Sequence, residues 1–285
     1  MKRFLALGAV LTTAAFSLFG VAPAAGGAPL PGGLPIIRDQ GATAGRAAGL
    51  PTTSINWSGY AVTAQAPFTD VSATWVQPAI TCSGNEKYVI TSNWVGLDGF
   101  TDQTVEQDGT DAKCFAASDT PKYQAWYEMY PAGSVNVFGV QPGDTISASV
   151  TYQSGKFTLM IADLTSHQTN TKVAACSSCE RNSAEWIIER AAFCGNPACT
   201  TALIGALPDF GKTTMTDDVA SAGGVTAGIS GFANNYPIEG VYNLNDTEKI
   251  GPKGFISVDT VSNVNSTNSF TATWDRSGKP TPIKL

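Results

Sequence analysis

The chain has 285 residues, enough to bury a sizeable core in one large domain or two small ones. Charged residues make up only 14% and the formal net charge is −6, so the cationic surface that nucleic acid requires is missing and nucleic acid is excluded as a partner. The scarcity of bases also means that little positive charge accumulates when carboxylates are neutralised in acid, which points weakly to an acidic workplace.

At the start, Lys2 and Arg3 precede an uncharged, largely apolar run from Phe4 to Val21, and Ala22-Pro23-Ala24 follows as a small-x-small cleavage site. Residues 1–24 read as a secretory signal peptide. A membrane anchor is the lesser reading, because the run is near the lower length limit of a span and no later stretch is long and apolar enough to cross a bilayer. The protein is therefore expected to be secreted, extracellular and free of the membrane after processing. Residues 25–53 are rich in Ala, Gly and Pro without periodicity, as in a linker or propeptide. Losing residues 1–53 removes Lys2, Arg3, Arg38 and Arg46 against Asp39 alone, so residues 54–285 are more acidic than the whole.

From residue 54 onward short runs alternate with turn residues. NWSGYAVTA from Asn56, VSATWVQP from Val71, YVITSNWVGLDG from Tyr88, TVEQDGTD from Thr104 and YQAWYEMYP from Tyr123 come first. TISASVTYQ and FTLMIADLT follow, bounded by PGD and SGK, and then EWIIERAAF, ALPDFGKTTM, GVYNLN, FISVDTVS and SFTATW. No long 3.6-residue periodicity and no repeat of fixed period appears. The expectation is one all-β domain over residues 54–285, an antiparallel two-sheet sandwich with few or no helices.

Six cysteines, Cys82, Cys114, Cys176, Cys179, Cys194 and Cys199, most simply form disulfides in an exported protein. Cys82 with Cys114 is the natural pair because the two flank the strands around Trp94 and Gln107, leaving the last four to pair among themselves. Those four also have a spacing compatible with a zinc ribbon, which the oxidising compartment disfavours.

Chemistry concentrates between Trp94 and Pro131. Strand alternation puts Trp94, Gly96 and Asp98 on one face of their run, and Gln124, Trp126, Glu128 and Tyr130 on one face of theirs. Faces that mix indole rings with carboxylates look like the lining of a wet cleft, since an unpaired carboxylate in an ordinary core costs several kcal/mol or becomes protonated. Elimination narrows the reacting groups. His167 is the lone histidine and lies in a polar turn-like stretch, LTSHQTN, no G-x-S-x-G elbow exists, and the phosphate-binding glycine signatures are absent. Carboxylates and amides remain. Glu185 and Glu189 share a strand face about 13 Å apart, too far to act on one atom. Gln107 points to the opposite side from Glu106 and cannot ionise, yet its amide is able to hold water and to donate N–H to an oxyanion.

NWSGYAV, VSATWVQP, WVGLDG, VEQDGT, YQAWYEMYP and AEWIIE occur in the order seen in the glutamic peptidases, or eqolisins, the fungal and bacterial acid endopeptidases, and residues 54 to 275 resemble that family. The resemblance implies a concanavalin-like sandwich of the lectin and glucanase type, with a catalytic Gln at Gln107 and a catalytic Glu at Glu189. It implies substrate-lining roles for Trp94, Asp98, Trp126 and Glu128, and no assigned catalytic role for Glu185. It further implies hydrolysis of polypeptide substrates by a water held between Gln107 and Glu189, with no covalent intermediate, no cofactor and no metal, in a protein that works as a monomer. Asp108 departs from the family pattern, in which Thr commonly follows the Gln, and a carboxylate there is expected to alter the pH optimum. The alternative is a sandwich glycosidase or carbohydrate-binding module, for which Trp-lined acidic faces are equally suited; the two carboxyls that a retaining glycosidase needs could come from Glu128 and Glu189.

Overall fold

Alternation of apolar with small polar or β-branched residues carries most of this chain into sheet. The computed structural model describes residues 31–32, 52–82, 88–115, 120–194, 201–241 and 257–284. The expectations for the signal segment, for most of residues 25–53, for the end of GVYNLN, for Cys199 and for the side chain of Cys194 lie outside the described residues.

Two eight-stranded sheets dominate. One runs, edge to edge, through Thr52–Ser54, Asn234–Gly240, Trp57–Thr63, Ser183–Glu189, Tyr88–Leu97, Val105–Phe115, Lys122–Tyr130 and Val135–Gly139. All its pairings are antiparallel except that of Asn234–Gly240 with Thr52–Ser54. The other runs through Gln168–Ala174, Lys156–Asp163, Thr145–Gln153, Phe68–Val76, Lys212–Ala222, Phe270–Trp274 and Asp259–Val261, with Val225–Gly228 added beside Lys212–Ala222. A small third sheet joins Pro31–Gly32, Ala192–Cys194, Thr201–Ile204 and Thr281–Lys284. Among the described residues the helical content is one 3-10 turn at Ile229–Gly231.

The two large sheets pack face to face, as expected of a β-sandwich. Between them lie Tyr60, Phe68, Trp75, Leu97, Phe157, Trp186 and Phe270, all buried. Each such side chain withdraws enough apolar surface to contribute roughly 1.5 to 3 kcal/mol, and this layer holds the sheets in register. A disulfide joins Cys82 to Cys114, the expected pair, and a second joins Cys176 to Cys179. His167 is exposed in the turn that connects two strands.

The first sheet has a second apolar cluster on its other face: Trp57, Ala61, Trp94, Phe100, Val105, Trp126, Ile187 and Ile238, with Tyr130 and Tyr236 against it. A sheet face left to solvent would not gather four such aromatic rings. The candidate chemistry is on this face.

Candidate active site

Register assembles this face into three rows. Ala61, Glu185, Gly96, Gln107 and Glu128 stand opposite one another across five strands. The middle row is Gly59, Ile187, Trp94, Gly109 and Trp126. The third is Trp57, Glu189, Ser92, Asp111 and Gln124. Gln107 and Glu189 are thus on one face, with the Trp94 row between theirs.

Trp94 links the two outer rows. Its indole Nε1 donates to Glu189 Oε2 at 2.9 Å. The far edge of the same ring lies over Gly96, where an added Cβ would come within 3.0 Å of Trp94 Cζ3 and 3.1 Å of Gln107 Cβ. Gly109 makes room on the other side, since a Cβ there would be 2.3 Å from the Asn93 carbonyl and 2.5 Å from Trp94 Cβ. Trp57 braces the indole edge-on, with ring centroids 5.0 Å apart and planes at 77°. The Glu189 carboxylate also accepts from Asn56 Nδ2 at 3.4 Å.

Gln107 is held differently. Its Nε2 donates to Glu128 Oε2 at 2.7 Å, while its Oε1, buried, has no protein partner. Nε2 carries two hydrogens and Glu128 takes one, so one N–H and the carbonyl oxygen are left for other bonds. Trp126 and Tyr130 stand on the same strand face as Glu128, as alternation predicts.

Of the six side chains expected to form the site, Gln107 meets Glu128 and Glu189 meets Trp94, with Trp126 beyond Gly109 in the row of Trp94. Asp98 does not extend the Trp94 row. The strand ends at Leu97 and Asp98 takes a left-handed φ of 71°, which breaks the alternation. Its two oxygens accept from the backbone N–H groups of Arg181 and Asn182, each at 2.8 Å, so Asp98 anchors the chain as it enters the Glu189 strand.

The expected wet lining is also absent in one respect. Gln107 and Glu189 are both 0% exposed. Several acids around them are buried strongly enough to stay protonated. Burial raises Glu185 well above the usual carboxylate range, and the negative neighbours Asp98, Asp102 and Glu106 add to this. Burial likewise pushes Glu106 up to about 10, with Asp98 adding to it. Asp108 is raised well above its ordinary value by burial, and neither of its oxygens has a protein partner. Glu106 and Asp108, on either side of Gln107, face between the sheets. Asp111 is raised by burial and pulled back by Lys113, 3.8 Å away, and by the Ser92 hydroxyl, which donates at 2.6 Å.

Sequence reading passed over Asn56, Ser92 and Asp111. Asp111 follows Gln107 and Gly109 at period 2, a signal that was present. Asn56 and Ser92 gain meaning only from partners 133 and 19 residues away. As for metals, the described cluster with ligand chemistry is Glu106 with Cys176 and Cys179, and both sulfurs are in a disulfide.

The sequence pattern of the peptidase A4 family matches residues 55–274. The chain is 32% identical over 204 residues to aspergillopepsin-2 of Aspergillus niger, covering 62% of this chain and 68% of that protein. It is 37% identical over 180 residues to scytalidopepsin B of Scytalidium lignicola, covering 56% of this chain and 65% of that one, just under two thirds of its length. A crystal structure of scytalido-glutamic peptidase with a peptide-based transition state analog superposes with a TM-score of 0.61 at 25% identity, over 77% of this chain and 98% of that chain. That of aspergilloglutamic peptidase from Aspergillus niger gives 0.50 at 26% identity, over 66% and 99%.

Proposed function

Because this chain belongs to the peptidase A4 family of glutamic-type endopeptidases, we propose that it is a secreted acid endopeptidase in which Gln107 and Glu189 hydrolyse peptide bonds through one activated water. The observation that carries this reading is the indole of Trp94, which bonds Glu189 at one end and packs toward Gln107 at the other, holding an amide and a carboxylate on one face.

The chemistry follows from what each group has to offer. Glu189 receives N–H donors from Trp94 and Asn56, so its oxygens act as acceptors, the form that takes a proton from water. Gln107 has a carbonyl oxygen to hold that water and an N–H beyond the one given to Glu128. When the water adds to the scissile carbonyl, the N–H faces the oxyanion that develops, and a preorganised donor in a water-poor site is worth about 3 to 4 kcal/mol there. Collapse of the tetrahedral species needs a proton on the leaving nitrogen, and Glu189 returns the one it took. Glu128 fixes the amide plane. Trp126 and Tyr130 offer ring surface to substrate side chains. A retaining glycosidase would use a pair of carboxyls, and the family match favours peptide over glycan.

In this reading residues 25–53 are the propeptide of a precursor. The decisive experiment uses Glu189→Gln and Gln107→Ala. Each is expected to abolish casein hydrolysis at about pH 3 while circular dichroism stays that of the wild type. Full hydrolysis by either folded variant removes the assignment.

A further inference from the structure

Strand alternation alone does not bring Asn56 to Glu189. Trp57 stands opposite Glu189 and shares its face, so the residue before Trp57 belongs on the other face. The chain bends at Ile55 and Asn56 before the strand begins at Trp57, and this bend turns the Asn56 amide back toward the site. One hydroxyl holds the bend. Ser54 Oγ accepts from the backbone N–H of Asn56 at 3.3 Å and from that of Trp57 at 3.1 Å, the way serine side chains close short turns. The ladder with Asn234–Gly240 stops at Gly59, short of Trp57, and Ser54 takes the place of a ladder acceptor there.

A count of hydrogens then fixes which way the amide faces. A hydroxyl oxygen has two lone pairs and one hydrogen. With both lone pairs turned to backbone N–H groups, the hydrogen is what Ser54 offers to its third neighbour, Asn56 Oδ1, at 2.9 Å. An amide whose oxygen faces one side presents its nitrogen to the other, and Asn56 Nδ2 lies 3.4 Å from Glu189 Oε1. The reverse orientation would set the amide nitrogen against a hydroxyl with no lone pair left, and the amide oxygen against the Glu189 carboxylate.

We propose that Ser54 is a positioning residue for Glu189: its hydroxyl holds the Asn56 amide with the nitrogen toward the carboxylate, so that each oxygen of Glu189 meets an N–H, Asn56 on Oε1 and Trp94 on Oε2. The proposal rests on the catalytic reading of Glu189, in which both oxygens act as acceptors and one takes a proton from water. Ser54 is itself firmly seated. It is 0% exposed, pairs with Gly240 in the parallel pairing at the edge of the sheet, and its carbonyl accepts from the Val241 N–H at 2.8 Å. Asn56 is tied to the Glu189 strand through its backbone as well, since its carbonyl accepts from the Arg190 N–H at 2.8 Å. The short strand Thr52–Ser54, at the start of the domain, thereby reaches the reacting carboxylate through one side chain.

Two measurements on the secreted protein test this. With casein-derived peptides at about pH 4, Ser54→Ala is expected to lower kcat about tenfold, as the loss of one hydrogen bond gives, with KM within about twofold. Asn56→Asp keeps the shape and separates the two orientations of the amide. With the nitrogen toward Glu189, the substitution puts an oxygen where an N–H was, and kcat is expected to fall at least about tenfold. With the oxygen toward Glu189, an oxygen would remain there and kcat would stay within about threefold. A folded Ser54→Ala protein with wild-type kcat, or an Asn56→Asp protein within about threefold of wild type, overturns the proposal. The second measurement needs no activity. In a Gln107→Ala background, the side-chain amide protons of Asn56, identified by their loss in Asn56→Asp, are expected to shift in proton–nitrogen NMR spectra on adding Glu189→Ala and to exchange with water about tenfold faster on adding Ser54→Ala. Amide protons indifferent to either substitution overturn it as well. Cleavage by Glu189→Gln would instead sink the catalytic reading, and with it the kinetic half of the proposal, and leave the amide protons to judge the orientation of Asn56 alone.

Discussion

Asp108 offers a clean test of what buried acids do to this fold. It is fully buried between the sheets, with no partner for either oxygen, and burial raises it well above the usual carboxylate value. The folded state therefore keeps a proton that the unfolded chain releases above about pH 3.9. A raised folded value means that stability falls as pH rises through that window, by about 1.4 kcal/mol per pH unit for one group. By pH 6 Asp108 costs the fold about 3 kcal/mol. Asp108→Asn has the same shape and no titration. It leaves an unpaired amide, at about 1 kcal/mol. The variant is thus expected to be less stable than wild type by about 1 kcal/mol at pH 3 and more stable by about 2 kcal/mol at pH 6, so the melting curves cross. For a domain of this size that is a loss of about 3 °C and a gain of about 6 °C. Thermal denaturation should be followed from pH 3 to 6 in a Glu189→Gln background, which removes self-digestion from the reading. A difference between the two proteins that is constant with pH would refute the argument, because it would mean that Asp108 titrates alike in both states.

Three further outcomes follow from contacts at the site and the staple beside it. Trp94→Phe keeps the ring but removes the N–H to Glu189, and a bond to a charged group lost in this way should lower kcat about tenfold to a hundredfold with little change in KM, by steady-state kinetics. Gly109→Ala would drive a methyl to 2.3 Å from the Asn93 carbonyl, and overpacking of this kind is expected to cost about 3 kcal/mol in urea denaturation, with a loss of activity through displaced Trp94. Replacing Cys82 and Cys114 together by Ala opens a loop of 32 residues and should lower stability by about 3 to 4 kcal/mol under non-reducing conditions, leaving activity at low temperature intact.

The strands were legible because period 2 is local. The runs at Thr145 and Lys156 show their inward residues directly, and Cys82 with Cys114 followed from the strands they flank. The same rule put Gln107 and Glu106 on opposite faces and Glu185 with Glu189 on one. It misplaced Asp98 because alternation holds only while φ stays extended, and the left-handed turn at that residue is set by the chain at Arg181 and Asn182, 83 and 84 residues on. Pairing register was not legible at all. Nothing near Glu189 in sequence announces Trp94 or Asn56 as its partners, and no local pattern tells that Ser92 will face Asp111.

Register also explains why stability falls as pH rises. A strand that offers an uncharged amide to the site at Gln107 must turn its neighbours, Glu106 and Asp108, toward the space between the sheets. There they remain in the fold only as neutral acids, raised by burial. Glu185 does the same in the row of Gln107, and Asp218, pushed up to about 8 by burial and by Asp217, adds one more on the far sheet. Each of these groups makes folding take up a proton above about pH 4, so their slopes add with the same sign. A domain with a total stability of about 5 to 15 kcal/mol tolerates few such slopes for more than about two pH units. The proposed activation of water by Glu189 requires a carboxylate, whereas the surrounding framework requires carboxylic acids.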